Sequence, residues 1–346
     1  MTWLNIGQEN MTDNKITIGI PVFNRFNNVR NLLNSIQFLS SGDGISIEYI
    51  VIDDCSCDYF SNLLREFADQ RNIFYYRNNR NMGVPYSWNR IVENVKSDLV
   101  FIFNDDVIIN DPDWAKRSIF AFKQNSFVGI VSFSERRTDR TGRTLAIDHR
   151  VSDRPLLHCW PSGPFFGIRK SLWTQVRQPD GSVGFWSSLR TYCEDWDFGL
   201  EMNERGYATC VLRNVVMDDL RNQTTGAAQL GYSADSGLAS LDLEKLSELS
   251  REMPAETQRP AQNRISDWIA RAVFKRKTAF LTRQELSASM LFLKWRSSLL
   301  SQDPAAYASK RAQRFKGRDL VYLDSRNTPV TVSTSEIIYS KTDDTV

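Results

Sequence analysis

The chain has 346 residues, 41% apolar and 12% aromatic, with a net charge of +2, enough apolar material for a sizeable core and a length that suits about two domains. No run approaches the roughly 20 uninterrupted apolar residues that a membrane-spanning helix needs, and the N-terminal MTWLNIGQENMTDNK has neither the basic nor the apolar region of a secretory signal. Cys55, Cys57, Cys159, Cys193 and Cys210 are odd in number and irregular in spacing, which excludes a disulfide framework or repeated CxxC zinc site and fits free thiols in a reducing cytoplasm.

In chain order, ITIGIPV (16–22) reads as a strand, VRNLLNSIQFL (29–39) as a helix, and ISIEYIVID (45–53) as a second strand that ends in a buried apolar run. DYFSNLLREFADQ (58–70) has helical spacing, with Asp58 expected to cap a helix beginning at Tyr59. NIFYYR (72–77) is a third strand, PYSWNRIVENV (85–95) a helix with Pro85 in its first turn, and LVFIF (99–103) a fourth strand. A helix is expected from Pro112 to Gln124, then FVGIVSF (127–133), then loop through about residue 163. FFGI (165–168) leads into a helical KSLWTQV (170–176). EDWDFGLEMNERG (194–206) forms a helix with a glycine stop, and YATCVLRNVVM (207–217) a strand. Strands alternating with helices of this length predict an α/β fold with a mostly parallel sheet flanked by helices.

Residues 222–262, rich in Ser, Gly, Gln and Ala, read as a linker or peripheral insertion. RISDWIARAV (264–273) puts Ile265, Trp268, Ile269, Ala272 and Val273 on one helical face. LVYLD and TPVTVSTSEIIY give short terminal strands, so 263–346 is expected to be a mainly helical, basic C-terminal extension. From Arg259 to Arg318, 14 Lys and Arg face only Asp267, Glu285 and Asp303, a local charge of +11 that leaves −9 on the rest of the chain. That stretch is either the solvated face of packed helices or a surface for an anionic partner, a membrane or a nucleic acid.

In open parallel sheets, ligands bind beyond the carboxyl ends of the strands. Three predicted strands end there in polar residues: PVFNR (21–25), DDCSCD (53–58) and Asn104-Asp105-Asp106. Ionised side chains at the edge of a core are costly unless paired, solvated or metal-bound. Two adjacent carboxylates with an amide neighbour suit Mg²⁺, which typically takes one or two carboxylates and completes its shell with water and phosphate oxygens. No GxxxxGK[ST] is present and no GxGxxG follows a strand, which speaks against a P-loop kinase and a Rossmann dehydrogenase. Glu194-Asp195-Trp196-Asp197 opens a later helix, either as carboxylates favoured by the helix dipole or as a general base at the same rim.

Together, PVFNR, VIDDCSCD, RNNRNMG, FNDDV, SGPFFGIRKSLW and CEDWDFGLEMNERGY resemble, in order, the motifs of family 2 glycosyltransferases of the GT-A (nucleotide-diphospho-sugar transferase) fold, over about residues 15–217. The resemblance implies a catalytic domain over 15–221, with its nucleotide-binding part to about 110 and its acceptor part from about 111. Pro21, Phe23, Asn24 and Arg25 would line the nucleotide pocket. Asp53 would accept a hydrogen bond from the base with Asp54 nearby, and Arg80 and Gly83 would lie near the nucleotide. Asn104 and Asp105 would sit by the sugar diphosphate, with Asp106 as principal ligand of Mn²⁺ or Mg²⁺. Asp195 would be the general base of an inverting transfer, and Glu194, Trp186 and His158 are acceptor-side candidates.

This sequence departs from the pattern in four places. Asn104 replaces the first acid of the D-x-D region, Cys55 stands where Gly is common, and Cys57 where Thr or a small residue is common. Where many relatives carry a His that helps hold the metal, this chain has Met217-Asp218-Asp219, and Asp218 or Asp219 is a candidate substitute. The expected acceptor is a glycan or lipid-linked glycan. The alternatives are a modified base in DNA, reached through 259–318 by a virus-type enzyme, and a binding module without turnover. The expected setting is the cytoplasm, at the inner face of a membrane or in a host cell.

Overall fold

A computed structural model describes residues 14–39, 44–138, 144–148, 151–161, 165–178, 181–187, 194–219 and 311–337. The expected linker at 222–262 and the helix at 264–273 lie outside the described residues, as does most of the basic segment.

Strands β1 (Lys15–Val22), β2 (Ser46–Asp53), β3 (Phe74–Arg77) and β4 (Leu99–Phe103) alternate with helices α1 (Phe26–Leu39), α2 (Asp58–Gln70) and α3 (Val84–Glu93). A three-residue strand, β5 (Val107–Ile109), precedes α4 (Trp114–Gln124). Then come β6 (Val128–Thr138), β7 (Thr144–Asp148), β8 (Leu156–His158), β9 (Phe165–Arg169), α5 (Lys170–Trp173), α6 (Glu194–Glu204) and β10 (Ala208–Asp219). A C-terminal hairpin is made by β11 (Asp319–Leu323) and β12 (Pro329–Ser333).

The ten-stranded sheet runs in the order β3-β2-β1-β4-β9-β6-β10-β5, with β7 beside β6 and β8 beside β10. The first four strands are mutually parallel, and β10 is parallel to β6. β9 enters between β4 and β6 antiparallel to both. The parallel strands read as apolar runs because helices cover both faces: Ile16, Ile18 and Ile20 of β1 and Phe101 and Phe103 of β4 face one layer, while Val100 and Ile102 face the other. Trp114 packs edge-on against Phe101 and Phe103 and anchors α4 under the first layer.

The hairpin joins this same core. Phe315 stacks on Phe127 with ring centroids 5.8 Å apart, and Leu320, Tyr322 and Val332 are buried. The Asn125 amide pairs with both the N–H and the C=O of Val321, as a neighbouring strand would. Arg117, only 5% exposed, reaches Asp111 (2.7 Å), Asn327 (3.1 Å) and the Ser325 carbonyl (3.2 Å).

Four expectations change. The stretch expected as loop to residue 163 holds the end of β6, β7 and β8; its short edge strands, broken by polar residues, carry too little alternation to read from sequence. KSLWTQV makes a single helical turn, ended where Thr174 bonds back to Lys170 and the chain enters a bridge between Arg177 and Val183. The first turn expected from Pro112 is taken by acids that Arg117 gathers, so α4 begins at Trp114. Asp58 is not the cap of α2. Cys57 occupies that position without a side-chain bond, the helix begins at Asp58, and the Asp58 carboxylate goes to Arg77 at 3.0 Å.

Candidate functional site

The register of β1, β2 and β3 sets Val22 beside Asp53 and Asp53 beside Arg77, so the loops after these strands leave from one edge. Two backbone bonds extend the ladder beyond the strands, from Asp54 N to the Val22 carbonyl and from Asn78 N to the Asp53 carbonyl, each 2.8 Å.

Pro21 is buried at the end of β1, and Phe23, Asn24 and Arg25 are half-buried beyond it. Asn24 adopts φ +57°, a conformation that Asn tolerates better than most residues. Its N–H donates to Ser56 Oγ (2.8 Å) and its Oδ1 accepts from Cys57 N (2.7 Å). PVFNR is thereby clasped to DDCSCD. Cys55 sits at φ +68°, which explains why a glycine is common at this position.

Asp53 is fully buried. Its Oδ1 accepts from Ser56 N at 2.8 Å, and its Oδ2 accepts from Ser61 Oγ at 2.5 Å and the Tyr75 hydroxyl at 2.7 Å. Burial and this bond to Asp53 push the Tyr75 hydroxyl up to about 12. Asp53 therefore holds its own turn together through three protein donors. Asp54 accepts from Asn78 Nδ2 at 2.6 Å and from Met82 N and Gly83 N at 2.8 Å each. Burial raises its pKa, against these three donors. These bonds give the two motifs one purpose: the second aspartate of VIDDCSCD fixes the loop RNNRNMG. Gly83, at φ +91°, turns that loop into α3. Arg80 lies exposed on the loop, with its Nε 3.3 Å from the Met82 sulfur.

The acids that follow β4 are buried, Asp105 at 6% and Asp106 at 8% exposure. Arg25 Nη1 donates to Asp105 Oδ1 at 3.2 Å and to Asp106 Oδ2 at 3.4 Å. Burial pushes the Asp105 carboxyl up to about 7, against the pull of Arg25. Asn104 Oδ1 is buried with no hydrogen-bond partner. Two carboxylates and an orphaned amide oxygen are the hard donors that Mg²⁺ or Mn²⁺ takes, so the residues fit such an ion with water and phosphate completing its shell. Among the described residues, no three His, Cys, Asp or Glu gather closely enough to hold a metal alone.

The two candidate substitutes for the missing His differ in their surroundings. Asp218 is bound by two nitrogens of Arg136 and by Asn110 Nδ2. Asp219 is fully buried opposite Val107.

Of the residues expected on the acceptor side, Glu194 and Asp195 are buried, with Asp197, in the first turn of α6. Glu194 Oε2 has no hydrogen-bond partner, and burial, then the charge of Asp195, push this carboxyl up to about 8. Two amides that sequence reading missed clamp the neighbouring loop 182–187. Asn89 donates to the Phe185 carbonyl (2.6 Å) and accepts from Phe185 N (2.8 Å) and Trp173 Nε1 (3.0 Å). Gln178 Nε2 donates to the Gly184 carbonyl (2.7 Å) and to Asp197 (3.1 Å). Asn89 sits beside Arg90 and near Ser87 in PYSWNRIV, so nothing in the sequence singled it out. Trp186 is 1% exposed and its Nε1 has no hydrogen-bond partner. His158 is buried in β8, its Nδ1 3.0 Å from the Trp160 carbonyl and its ring edge-on to Trp160. Trp160 stacks on Trp196, and a Cβ at Gly199 would meet the Trp160 backbone at 2.6 Å. His158 thus belongs to the packing that seats α6.

The described end of the basic segment is also occupied. Arg311 pairs with Glu204, Arg314 donates to the Asn203 carbonyl (2.7 Å) and Glu204 (3.2 Å), and Arg318 lies over the rings of Phe127 and Phe315. No helix among the described residues is long and apolar enough to cross a membrane.

In an open α/β sheet, ligands bind beyond the carboxyl ends of the parallel strands, which is where these acids lie. The profile of Glycosyl transferase family 2 matches residues 17–194, and the chain belongs to that family. The glycosyltransferase GlyA of Streptococcus pneumoniae serotype 4 is 30% identical over 102 residues, 29% of this chain and 14% of that protein, so the match spans a small part of the relative. A crystal structure of residues 1–349 of S. aureus TarS is 16% identical and covers 76% of this chain and 82% of that one, with a TM-score of 0.49. The mannosyltransferase PcManGT from Pyrobaculum calidifontis, crystallised with GDP-Man and Mn²⁺, is 13% identical over 86% of this chain and 84% of that one, also with a TM-score of 0.49.

Proposed function

We propose that this protein is an inverting glycosyltransferase that moves a sugar from a nucleotide-diphosphate sugar to a hydroxyl of a glycan or lipid-linked glycan. The observation that carries this reading is the buried pair Asp105–Asp106 beside the orphaned Asn104 oxygen, in the loop after a parallel strand, in a member of glycosyl transferase family 2.

The clasped turns of Asn24, Ser56 and Cys57 form a pre-set wall for the nucleoside, and Asp54 holds the loop with Arg80 and Gly83 against it. Asp53 acts on the base by positioning this turn. Asp106, with Asp105 and Asn104, would hold a Mn²⁺ or Mg²⁺ ion, which supplies positive charge to the departing diphosphate. Asp195 takes the proton of the acceptor hydroxyl as its oxygen bonds to the anomeric carbon and the carbon–oxygen bond to the diphosphate breaks. Attack from the face opposite the leaving group inverts the anomeric centre. Glu194, buried and holding its proton at neutral pH, can donate a hydrogen bond to the acceptor while Asp195 stays the base.

Asp195→Asn tests this assignment. Transfer should fall by at least about 10³-fold while the dissociation constant for the donor nucleotide stays within about threefold. Loss of donor binding in parallel with transfer would give Asp195 a structural role and remove it as the base.

A further inference from the structure

We propose that Arg25 is the resident counter-cation of Asp105 and Asp106, and that it keeps a divalent ion out of this site until the diphosphate of the donor arrives. The proposal rests on the metal-assisted reading above and assigns Arg25 a task beyond lining the nucleotide pocket.

The first argument is the charge of the cluster. Asp105 and Asp106 are adjacent, with side chains 8% and 11% exposed, and no other Lys or Arg among the described residues pairs with either. Two buried carboxylates repel each other, and a nearby cation relieves that repulsion. With both acids ionised, Arg25 lowers the charge of the group from −2 to −1. A divalent ion added to that triad meets a fixed positive charge within a few ångström, so its affinity is low. The diphosphate reverses this, since its oxygens accept from the guanidinium and complete the metal shell together.

The second argument is the geometry of the pair. One nitrogen, Nη1, makes both contacts, at 3.2 and 3.4 Å. Charge-assisted bonds to carboxylates are ordinarily about 2.7–2.9 Å, and firmly held guanidinium pairs use two nitrogens. Arg136, which grips Asp218 through both Nε and Nη2, shows the firm kind in this same chain. Arg25 holds its acids loosely, and its other N–H groups have no protein partner among the described residues, so they can turn to phosphate oxygens.

The third argument is the anchorage. Asn24 is bound to Ser56 and Cys57, and the Arg25 carbonyl accepts from Val29 N in the first turn of α1. The root of the side chain is therefore fixed while its end is free to exchange one anion for another.

Mn²⁺ titrations of nucleotide-free protein, followed by the EPR signal of the free ion, test the proposal in wild type, Arg25→Gln and Arg25→Lys. Removing the charge should tighten Mn²⁺ binding by at least about tenfold, while Lys should keep the wild-type affinity. Adding UDP or GDP should tighten Mn²⁺ binding more in wild type than in Arg25→Gln. Equal Mn²⁺ affinity in wild type and Arg25→Gln would overturn the proposal and leave the metal site standing. Absence of Mn²⁺ binding in every variant, with and without nucleotide, would overturn both. Thermal melts establish that each variant is folded, and were Arg25→Gln to unfold, Arg25→Met carries the same comparison.

Discussion

Asp54→Ala tests whether the nucleotide wall is built as described. Asp54 is 6% exposed and accepts from Asn78 Nδ2, Met82 N and Gly83 N at 2.6–2.8 Å. Hydrogen bonds to a charged group each contribute roughly 1.5–3 kcal/mol, and a buried donor left without a partner costs roughly 1–3 kcal/mol. The sum is an upper bound for two reasons. The raised pKa of Asp54 records a burial cost that already offsets part of the gain. Met82 and Gly83 are half-buried, so water can reach their amides once the carboxylate is gone. A net loss of about 3 kcal/mol follows, or about 4 °C in Tm for a chain of this size. Calorimetry reads the Tm, and hydrogen exchange by mass spectrometry reads residues 78–84, whose amides should exchange faster while α4 stays protected. Asp58→Ala, in which the lost carboxylate is 88% exposed and pairs among the described residues with Arg77, is the control and should change stability by no more than about 0.5 kcal/mol. A Tm loss below about 2 °C for Asp54→Ala, or exchange unchanged at 78–84, would refute the reasoning.

Glu194 makes stability depend on pH. Its folded-state pKa of about 8 lies above the ordinary 4.5, so between these values the folded state keeps a proton that the unfolded state has lost. The stabilisation is complete below about pH 4.5 and fades as pH rises towards 8. Glu194→Gln should flatten that slope, reducing the loss between pH 5 and pH 8 by roughly 2–4 kcal/mol in denaturant titrations; parallel curves for the two proteins would exclude Glu194 as its source. Cys55→Gly should raise stability by about 0.5–1 kcal/mol, because relief at φ +68° exceeds the entropy of an added glycine. A lower Tm would mean that the 3.7 Å contact from Cys55 Sγ to the Asn79 carbonyl matters more than the backbone.

The parallel half of the sheet was legible because its strands are continuous apolar runs and its helices carry strong spacing. LVFIF matches β4 residue for residue, and DYFSNLLREFADQ spans α2 with Asp58 as its first residue in place of its cap. The antiparallel half was not. β9 reads as an apolar run like the parallel strands, and nothing local records that it runs the other way. The convergence of PVFNR and DDCSCD at one edge followed from strand ends, but the direction of each acid did not. Asp53 and Asp54 are neighbours in the same motif, yet one binds inward to Ser61 and Tyr75 and the other across to Met82 and Gly83. Successive residues at the end of a strand point to opposite faces, and residue type alone does not disclose which partners wait on each. The bond of Arg25 to both acids lay equally out of sight, since 80 residues separate the partners.

The central claim is that the edge carrying Asp54, Asp105 and Asp106 binds a nucleotide-diphosphate sugar with a divalent ion and turns it over. Purified protein incubated with a panel of sugar nucleotides and Mn²⁺ tests it most directly, with release of nucleoside diphosphate as the readout. The account predicts release from at least one donor, lost on chelation and lost in Asp106→Ala. No release and no metal-dependent nucleotide binding across the panel would contradict it.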